Sequence, residues 1–155
     1  MAVAVVLAVA AVAVAAHHAH RVHRGQHSPL RQQFTGSMSD LVDALNDINT
    51  QGETAMNDAI YVSLDYMKKG SREKKALLVI TDGEDNSSIA TQQRLIEGAH
   101  QNNAIVYGIG LLGGEKPESA ERAQKRLEEL TNATGGRSWF PTDIGAIAAI
   151  TPEIA

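Results

Sequence analysis

The sequence predicts an α/β fold, in which a parallel sheet has helices on both faces. Two apolar runs, 76–81 and 104–112, are bounded by turn residues, as is typical of buried parallel strands. A shorter run at 138–140 predicts a third strand. Segments with helical spacing of apolar residues alternate with these runs, which indicates parallel strands joined by right-handed crossovers. Because a sheet usually has about five or six strands, the chain is expected to form part of a larger α/β domain.

Helices are expected wherever a capping residue or a proline precedes apolar residues at helical spacing. They begin at Ser39 or Asp40, at Thr54, at Ser87 or Ser88, at Pro117 and at Asp143. The helix after the strand 76–81 is expected to carry Ile89 and Leu95 on its apolar face and to end at Asn102 and Asn103.

Length and composition exclude several kinds of protein. A chain of 155 residues forms one domain at most. It has no cysteine, which removes disulfides, zinc–thiolate sites and cysteine nucleophiles. The formal net charge is −4 at pH 7 and no basic field covers the chain, so no nucleic acid is expected as a partner. No serine lies on a glycine-flanked strand-to-helix elbow, and His100 is expected at the surface near a helix end.

The segment 1–33 differs in composition from the rest. Residues 1–16 contain only Met, Ala, Val and Leu, a run that is short for a transmembrane helix of roughly 20 apolar residues but suits the core of a signal peptide. Residues 17–33 are rich in histidine and arginine and contain no carboxylate, so a solvated linker is favoured over a metal site. We therefore expect a disordered or targeting segment at 1–33 and the folded domain at 34–155.

Three carboxylates follow the strand 76–81, namely Asp82, Glu84 and Asp85. In open α/β sheets, ligands bind beyond the carboxyl ends of the strands, and carboxylates there can bind a hard cation such as Mg²⁺. Alternatively, the same carboxylates can stabilise a helix N-terminus by about 0.3–1 kcal/mol each. Thr54 offers a similar choice, because its hydroxyl can cap a helix or ligate a cation. The residues alone leave both interpretations open.

The run 108–113 has the glycine spacing of a dinucleotide-binding fingerprint. In that fingerprint a helix follows directly, with its N-terminus facing the pyrophosphate. Here residues 114–117 intervene before the next expected helix. A nucleotide- or phosphate-binding α/β enzyme is therefore retained only as a rival hypothesis.

Four segments, in order, resemble parts of von Willebrand factor type A domains. The segment 52–60 resembles the Gly-Gly-Thr-x-x-x-Asp-Ala-Ile stretch of that family, and 78–86 resembles its Val-Ile-Thr-Asp-Gly-x-Asp stretch. The segment 105–110 is similar to the strand that follows, and 133–140 to the last strand. The resemblance covers roughly residues 34–150 and is closest to the bacterial, often exported branch, which favours a secreted or periplasmic location over a cytoplasmic one.

The resemblance implies a three-layer, Rossmann-like sheet with a metal-ion-dependent adhesion site. In that site Mg²⁺ or another divalent cation is held by three loops, and the carboxylate of a protein partner often completes the shell. Thr54 matches the threonine of the second loop and Asp82 the aspartate of the third. The implied function is protein binding without catalysis, so no catalytic or cofactor-binding residue is expected. Any membrane association would involve only the N-terminal apolar segment.

The chain departs from the family pattern at its first loop. No Asp-x-Ser-x-Ser follows a strand, and the similar stretch 36–40 lies too close to Thr54 to fit the intervening elements. The run 3–14 could imitate a first strand, yet the missing elements have no room. We therefore expect an N-terminally truncated domain that leaves an exposed edge on the strand 76–81. A metal-free scaffold, or a fragment without binding activity, is the alternative function.

One distance tests the implied site. Thr54 and Asp82 are expected within about 10 Å of each other, because both must reach one ion at about 2.0–2.6 Å.

Overall fold

The structure, a computed structural model, describes Leu7–Ala8 and residues 55–71 and 73–142, together with Ala146 and Ile150. In chain order, the elements are β1 (Leu7–Ala8), α1 (Met56–Met67), β2 (Lys75–Thr81), α2 (Gln92–Gln101), β3 (Ala104–Gly110), a 3₁₀ helix (Leu112–Gly114), α3 (Pro117–Ala133) and β4 (Ser138–Trp139). The helix expected from Ser39 or Asp40 lies outside the described residues, as does most of the helix expected from Asp143.

The described strands form one parallel sheet in the order β1-β2-β3-β4. β2 and β3 pair along their whole lengths, with Lys75 opposite Ala104 and Thr81 opposite Gly110. The prediction of an α/β fold with a parallel sheet is therefore confirmed. The second predicted strand is two residues too long, because the chain leaves the sheet after Gly110 and turns into the 3₁₀ helix.

The N-terminal segment contributes a strand that the sequence interpretation did not include. Leu7 pairs with Ala76 and Ala8 pairs with Leu77, both in parallel. The prediction that the edge of β2 is left open is therefore wrong at Ala76 and Leu77, which pair with β1. The physical reason is that an apolar, Val-rich run suits an extended strand and can satisfy the backbone groups of a buried edge. The domain boundary near residue 33 stays a prediction.

Three helices cover one face of this sheet. Leu77 and Val79 of β2 and Val106 of β3 are fully buried on that face. The helical side chains that pack with them are Ile60 and Leu64 of α1, Leu95 and Ala99 of α2, and Leu127 and Leu130 of α3. Removal of this apolar surface from water stabilises the packing by roughly 25 cal/mol per Å². Because the helices are packed on the sheet in this way, their termini are held at fixed positions relative to the ends of the strands.

A smaller cluster lies on the opposite face. Ile109 and Ile150 are buried there, with Ile80, Tyr107 and Trp139 packed against them. The rings of Tyr107 and Trp139 stack with their centroids 6.2 Å apart. Since Ile150 is helical, helical structure meets this face too, as the fold class predicted. Within the described ranges, no helix is both long and apolar enough to cross a membrane.

Candidate functional site

Asp82 follows the last residue of β2 and lies in a fixed turn. The buried Thr81 hydroxyl donates to the Gly83 carbonyl at 3.1 Å and accepts from the Gly83 amide at 3.4 Å. The Leu111 amide, beyond the end of β3, donates to the Thr81 carbonyl at 2.8 Å. These bonds hold the turn against the end of the sheet. Asp82 itself is exposed, and its carboxylate has no hydrogen bond or ion pair with any described residue.

Glu84 is joined to α3 by an ion pair. Arg122 donates through Nε and a terminal nitrogen to the two carboxylate oxygens of Glu84, at 2.8 and 2.9 Å. The hydrogen bond from Arg122 is the main cause that lowers the pKa of the Glu84 carboxyl below its ordinary value. The Arg122 side chain is 53% exposed and that of Glu84 only 20%. Glu84 is therefore engaged in connecting the turn to α3.

Asp85 is buried and binds two backbone amides. One oxygen accepts from the Ser88 amide at 3.1 Å, and the other accepts from the Asn57 amide at 2.9 Å. Asn57 lies in the first turn of α1, where backbone amides have no partner within the helix and negative charge is favourable. Asp85 therefore stabilises a helix N-terminus, but not the one that the sequence indicated. The helix concerned is α1, which precedes the loop in sequence, and not the helix that follows it.

Asp58 makes the reciprocal contact from α1 to the same loop. Its carboxylate accepts from the Ile89 amide at 3.1 Å and from the Ala90 amide at 2.7 Å. Its own amide donates to the Ser88 hydroxyl at 3.1 Å. We call these bonds, with those of Asp85, the Asp58–Asp85 network. Sequence reasoning did not single out Asp58, although an aspartate in the first turn of an expected helix was a signal for it.

This network corrects the predicted start of α2. Neither Ser87 nor Ser88 caps it, because both lie too far before its first residue, and the Ser88 hydroxyl and amide are bonded within the network. α2 begins at Gln92 instead, and the Thr91 hydroxyl accepts from the Arg94 amide at 3.4 Å. Ile89 consequently lies outside the helix and is 74% exposed, whereas Leu95 is buried as predicted.

Thr54 lies outside the described residues, so its distance from Asp82 stays a prediction. Among the residues that are described, no group of three acidic or histidine side chains is arranged to hold a metal ion. Glu84 and Asp85 are engaged elsewhere, which leaves Asp82 as the available carboxylate of the three. The Glu115 carboxylate approaches the same turn, since a Cβ added to Gly83 would lie 2.7 Å from its Oε1. The described part thus carries carboxylate oxygens, an atom type that suits hard cations, but no complete metal centre.

Two glycines of the run 108–113 allow close packing against β3. A Cβ on Gly108 would lie 2.7 Å from Leu127 of α3, and one on Gly110 would lie 2.8 Å from the ring of Phe140. The run 108–113 ends within the 3₁₀ helix, and no long helix follows directly, since α3 begins only at Pro117. These glycines let other side chains approach β3 closely, which removes the main support for a phosphate-binding loop.

His100 lies at the surface near the end of α2, as expected. Its Nε2 is 2.7 Å from the carbonyl oxygen of Ala133, the last residue of α3. Because the carbonyl can only accept, Nε2 donates this bond. The imidazole thus satisfies a helix-end carbonyl and takes no part in the site around Asp82.

One of the comparisons with solved structures supports this architecture. A solved structure described as von Willebrand factor type A from Catenulispora acidiphila superimposes with a TM-score of 0.60 at 20% identity, over 75% of this chain and 26% of that one. The chain thus spans about a quarter of the length of that protein, and the likeness concerns the fold alone. An uncharacterized membrane spanning protein from Vibrio fischeri matches with a TM-score of 0.45 at 15% identity, over 77% and 66% of the two chains. No curated protein matches the sequence.

The family comparison covers most of the chain. The model of the von Willebrand factor type A domain matches residues 14–152. Domains of this kind generally mediate protein interaction and are typically not enzymes. With the parallel sheet, the turn after β2 and this match in agreement, the chain belongs to the von Willebrand factor type A domain family.

Proposed function

We propose that this chain is a protein-binding module whose partner contacts the turn that carries Asp82. The observation that supports this most directly is the contrast among the three carboxylates after β2. Glu84 is paired with Arg122 and Asp85 accepts two backbone amides, whereas Asp82 is exposed and has no described partner. A carboxylate that stabilised only the fold would be engaged as its two neighbours are.

The turn is already held in place before a partner arrives. The Thr81 hydroxyl and the Leu111 amide fix its backbone, and Glu84 connects it to α3. Binding by a preorganised group loses less conformational entropy than binding by a mobile one. Asp82 therefore has the exposure and the support of a recognition residue.

A divalent cation, Mg²⁺ or a similar ion, is the second part of the proposal. Asp82 and the Thr54 hydroxyl would hold it, and the ion would supply positive charge for a carboxylate of the partner. The bond from the Asn57 amide to Asp85 supports this, because it joins the first turn of α1, three residues after Thr54, to the loop after β2. Oxygen ligands of this type suit hard cations.

Calorimetric titration with MgCl₂ and MnCl₂ tests the cation. We expect heat of binding for the wild type, loss of that heat in Asp82→Ala, and retention in Glu121→Ala. Glu121 is a matched control because it is an exposed carboxylate on α3. If the wild type gives no heat, the cation is excluded.

A metal-free scaffold would then be favoured. The observation that points to it is the lack, among the described residues, of three converging acidic or histidine side chains. Protein binding that persists in EDTA and is lost in Asp82→Ala would keep the interaction role without the ion. In neither case do we expect turnover of a substrate.

A further inference from the structure

The strand β1 is a short strand at the edge of the sheet. It pairs with β2 through two residues, with Leu7 opposite Ala76 and Ala8 opposite Leu77. In the described sheet, β2 is the single neighbour of β1. Main-chain pairing along one edge of β2 is therefore what places β1 in the fold.

A long connection separates β1 from the next described part of the chain. Residues 9–54 lie between β1 and Ala55, and a stretch of this length can span up to about 150 Å when it is extended. Closing a longer loop costs more conformational entropy. By contrast β4, which is equally short, follows α3 after residues 134–137. Chain length thus does not restrict β1 to the β2 of its own copy.

The edge of β2 that receives β1 suits an extended apolar segment. Residues 78–81 of β2 have no strand partner on that side among the described residues. They are Leu, Val, Ile and Thr, without the charge or proline that commonly protects an open edge. Such an edge accepts extended segments through main-chain hydrogen bonds. Residues 1–16, which contain only Met, Ala, Val and Leu, have this chemistry.

We infer that β1 exchanges between copies of this chain, so that β1 of each copy pairs with β2 of the other. The occupant of the β2 edge is then the N-terminal strand of a second copy. The pairing within one copy supports this occupant, because a second copy offers the same residues in the same register. Reciprocal exchange of one element gives a closed two-fold dimer.

Pairing within a copy competes with this exchange. The connection keeps β1 near its own β2 at an effective concentration of about a millimolar or less, so the dimer fraction rises as the protein concentration approaches that value. The turn that carries Asp82 takes no part, since Ala76 is the second residue of β2 and Asp82 follows the last. The inference is therefore independent of the proposed function.

Disulfide formation in a concentrated mixture of Leu7→Cys and Ala76→Cys chains tests the exchange. The chain has no cysteine of its own, so every disulfide in the mixture joins two chains. Cα atoms of paired residues on neighbouring strands lie about 5 Å apart, a separation that a disulfide can bridge. Peptide mass spectrometry identifies the bond between positions 7 and 76, which should become more abundant at higher protein concentration.

A mixture of Leu7→Cys with Glu121→Cys is the matched control, because Glu121 is exposed on α3. The bond between positions 7 and 76 should exceed the control bond about tenfold or more, since pairing raises the effective concentration of the two thiols. Equal amounts of the two bonds would overturn the inference.

The double variant Leu7→Cys/Ala76→Cys shows whether the substitutions preserve the pairing. In dilute solution it should form the disulfide within one chain. If it forms none, β1 does not pair with β2 and the exchange is excluded with it.

Sedimentation equilibrium of the wild type provides a measurement without substitutions. We expect monomers in dilute solution and a growing dimer fraction toward about 1 mM, with the same behaviour in Asp82→Ala. A wild type that stays monomeric over this range, or a dimer that is lost in Asp82→Ala, would contradict exchange of β1.

Discussion

At the scale of single residues, three neighbouring carboxylates have three different environments. Asp82 is exposed to solvent, and Glu84 forms an ion pair with Arg122. Asp85 accepts a hydrogen bond from the backbone of α1. The sequence predicted that a site of some kind lay here but could not divide these roles. Arg122 lies 38 positions from Glu84, and Asn57 lies 28 positions from Asp85. Such contacts follow from the packing of helices, which local spacing does not encode.

The ion pair of Glu84 predicts a dependence of stability on pH. Since Arg122 lowers the pKa of Glu84 in the folded state, the pair stabilises the fold above the unfolded pKa of glutamate, about 4.3. That stabilisation is lost as the pH falls through the lowered folded pKa. Glu84→Gln should therefore be less stable than the wild type at neutral pH, by a small amount because the pair is partly exposed.

Urea unfolding at neutral pH and near pH 3 measures this effect. The difference between the wild type and Glu84→Gln should shrink at the lower pH, whereas Glu121→Gln should show little difference at either. A difference for Glu84→Gln that is equal at both pH values would contradict the role of the ion pair.

At the scale of elements, the positions of helices and strands were predictable and some of their ends were not. Periodicity gave α1, α3 and both long strands because their apolar residues do form the core. It failed at the start of α2, where Ile89 continues the apolar pattern although its amide is bound by Asp58. A bond from another element overrode the local preference there.

The contact between β3 and α3 predicts a packing effect. Three side-chain atoms of Leu127 lie 2.7–2.9 Å from a Cβ built on Gly108. Gly108→Ala should therefore destabilise the protein by about 1–3 kcal/mol through overpacking. Gly114→Ala is the matched control, because nothing lies within 4 Å of its Cβ position.

A double variant tests whether that contact is the cause. Leu127→Ala alone removes a buried side chain and should cost about 2–5 kcal/mol. If the added methyl group of Gly108→Ala collides with Leu127, the double variant should lose less unfolding free energy than the two single variants lose in sum. Strict additivity in urea unfolding would show that the steric conflict lies elsewhere.

At the scale of the whole molecule, the sheet joins parts of the chain that are far apart in sequence. β1 pairs with β2 across almost seventy positions, from Leu7 to Ala76. The resemblance predicted the family and the succession of the later strands along the chain, and the family match extends over residues 14–152. It did not predict that Leu7 and Ala8 would pair with β2, because a uniform Ala and Val run has no pattern that fixes its register.

Deletion of residues 1–16 tests the contribution of β1. Without that strand, Ala76 and Leu77 lose their partners on the outer side of β2, and this apolar edge is open to pairing between molecules. We expect lower resistance to urea and a larger apparent mass in sedimentation than for the full chain. Equal stability and equal sedimentation would show that β1 contributes little to the sheet.

The hydrogen bonds that shape residues 88–90 also bear on how this domain can diversify. Asp58 binds the main-chain amides of Ile89 and Ala90 and does not depend on the identity of either side chain. Any residue except proline at position 89 can donate the same bond. Selection can therefore exchange the side chain there while the folding free energy stays almost constant.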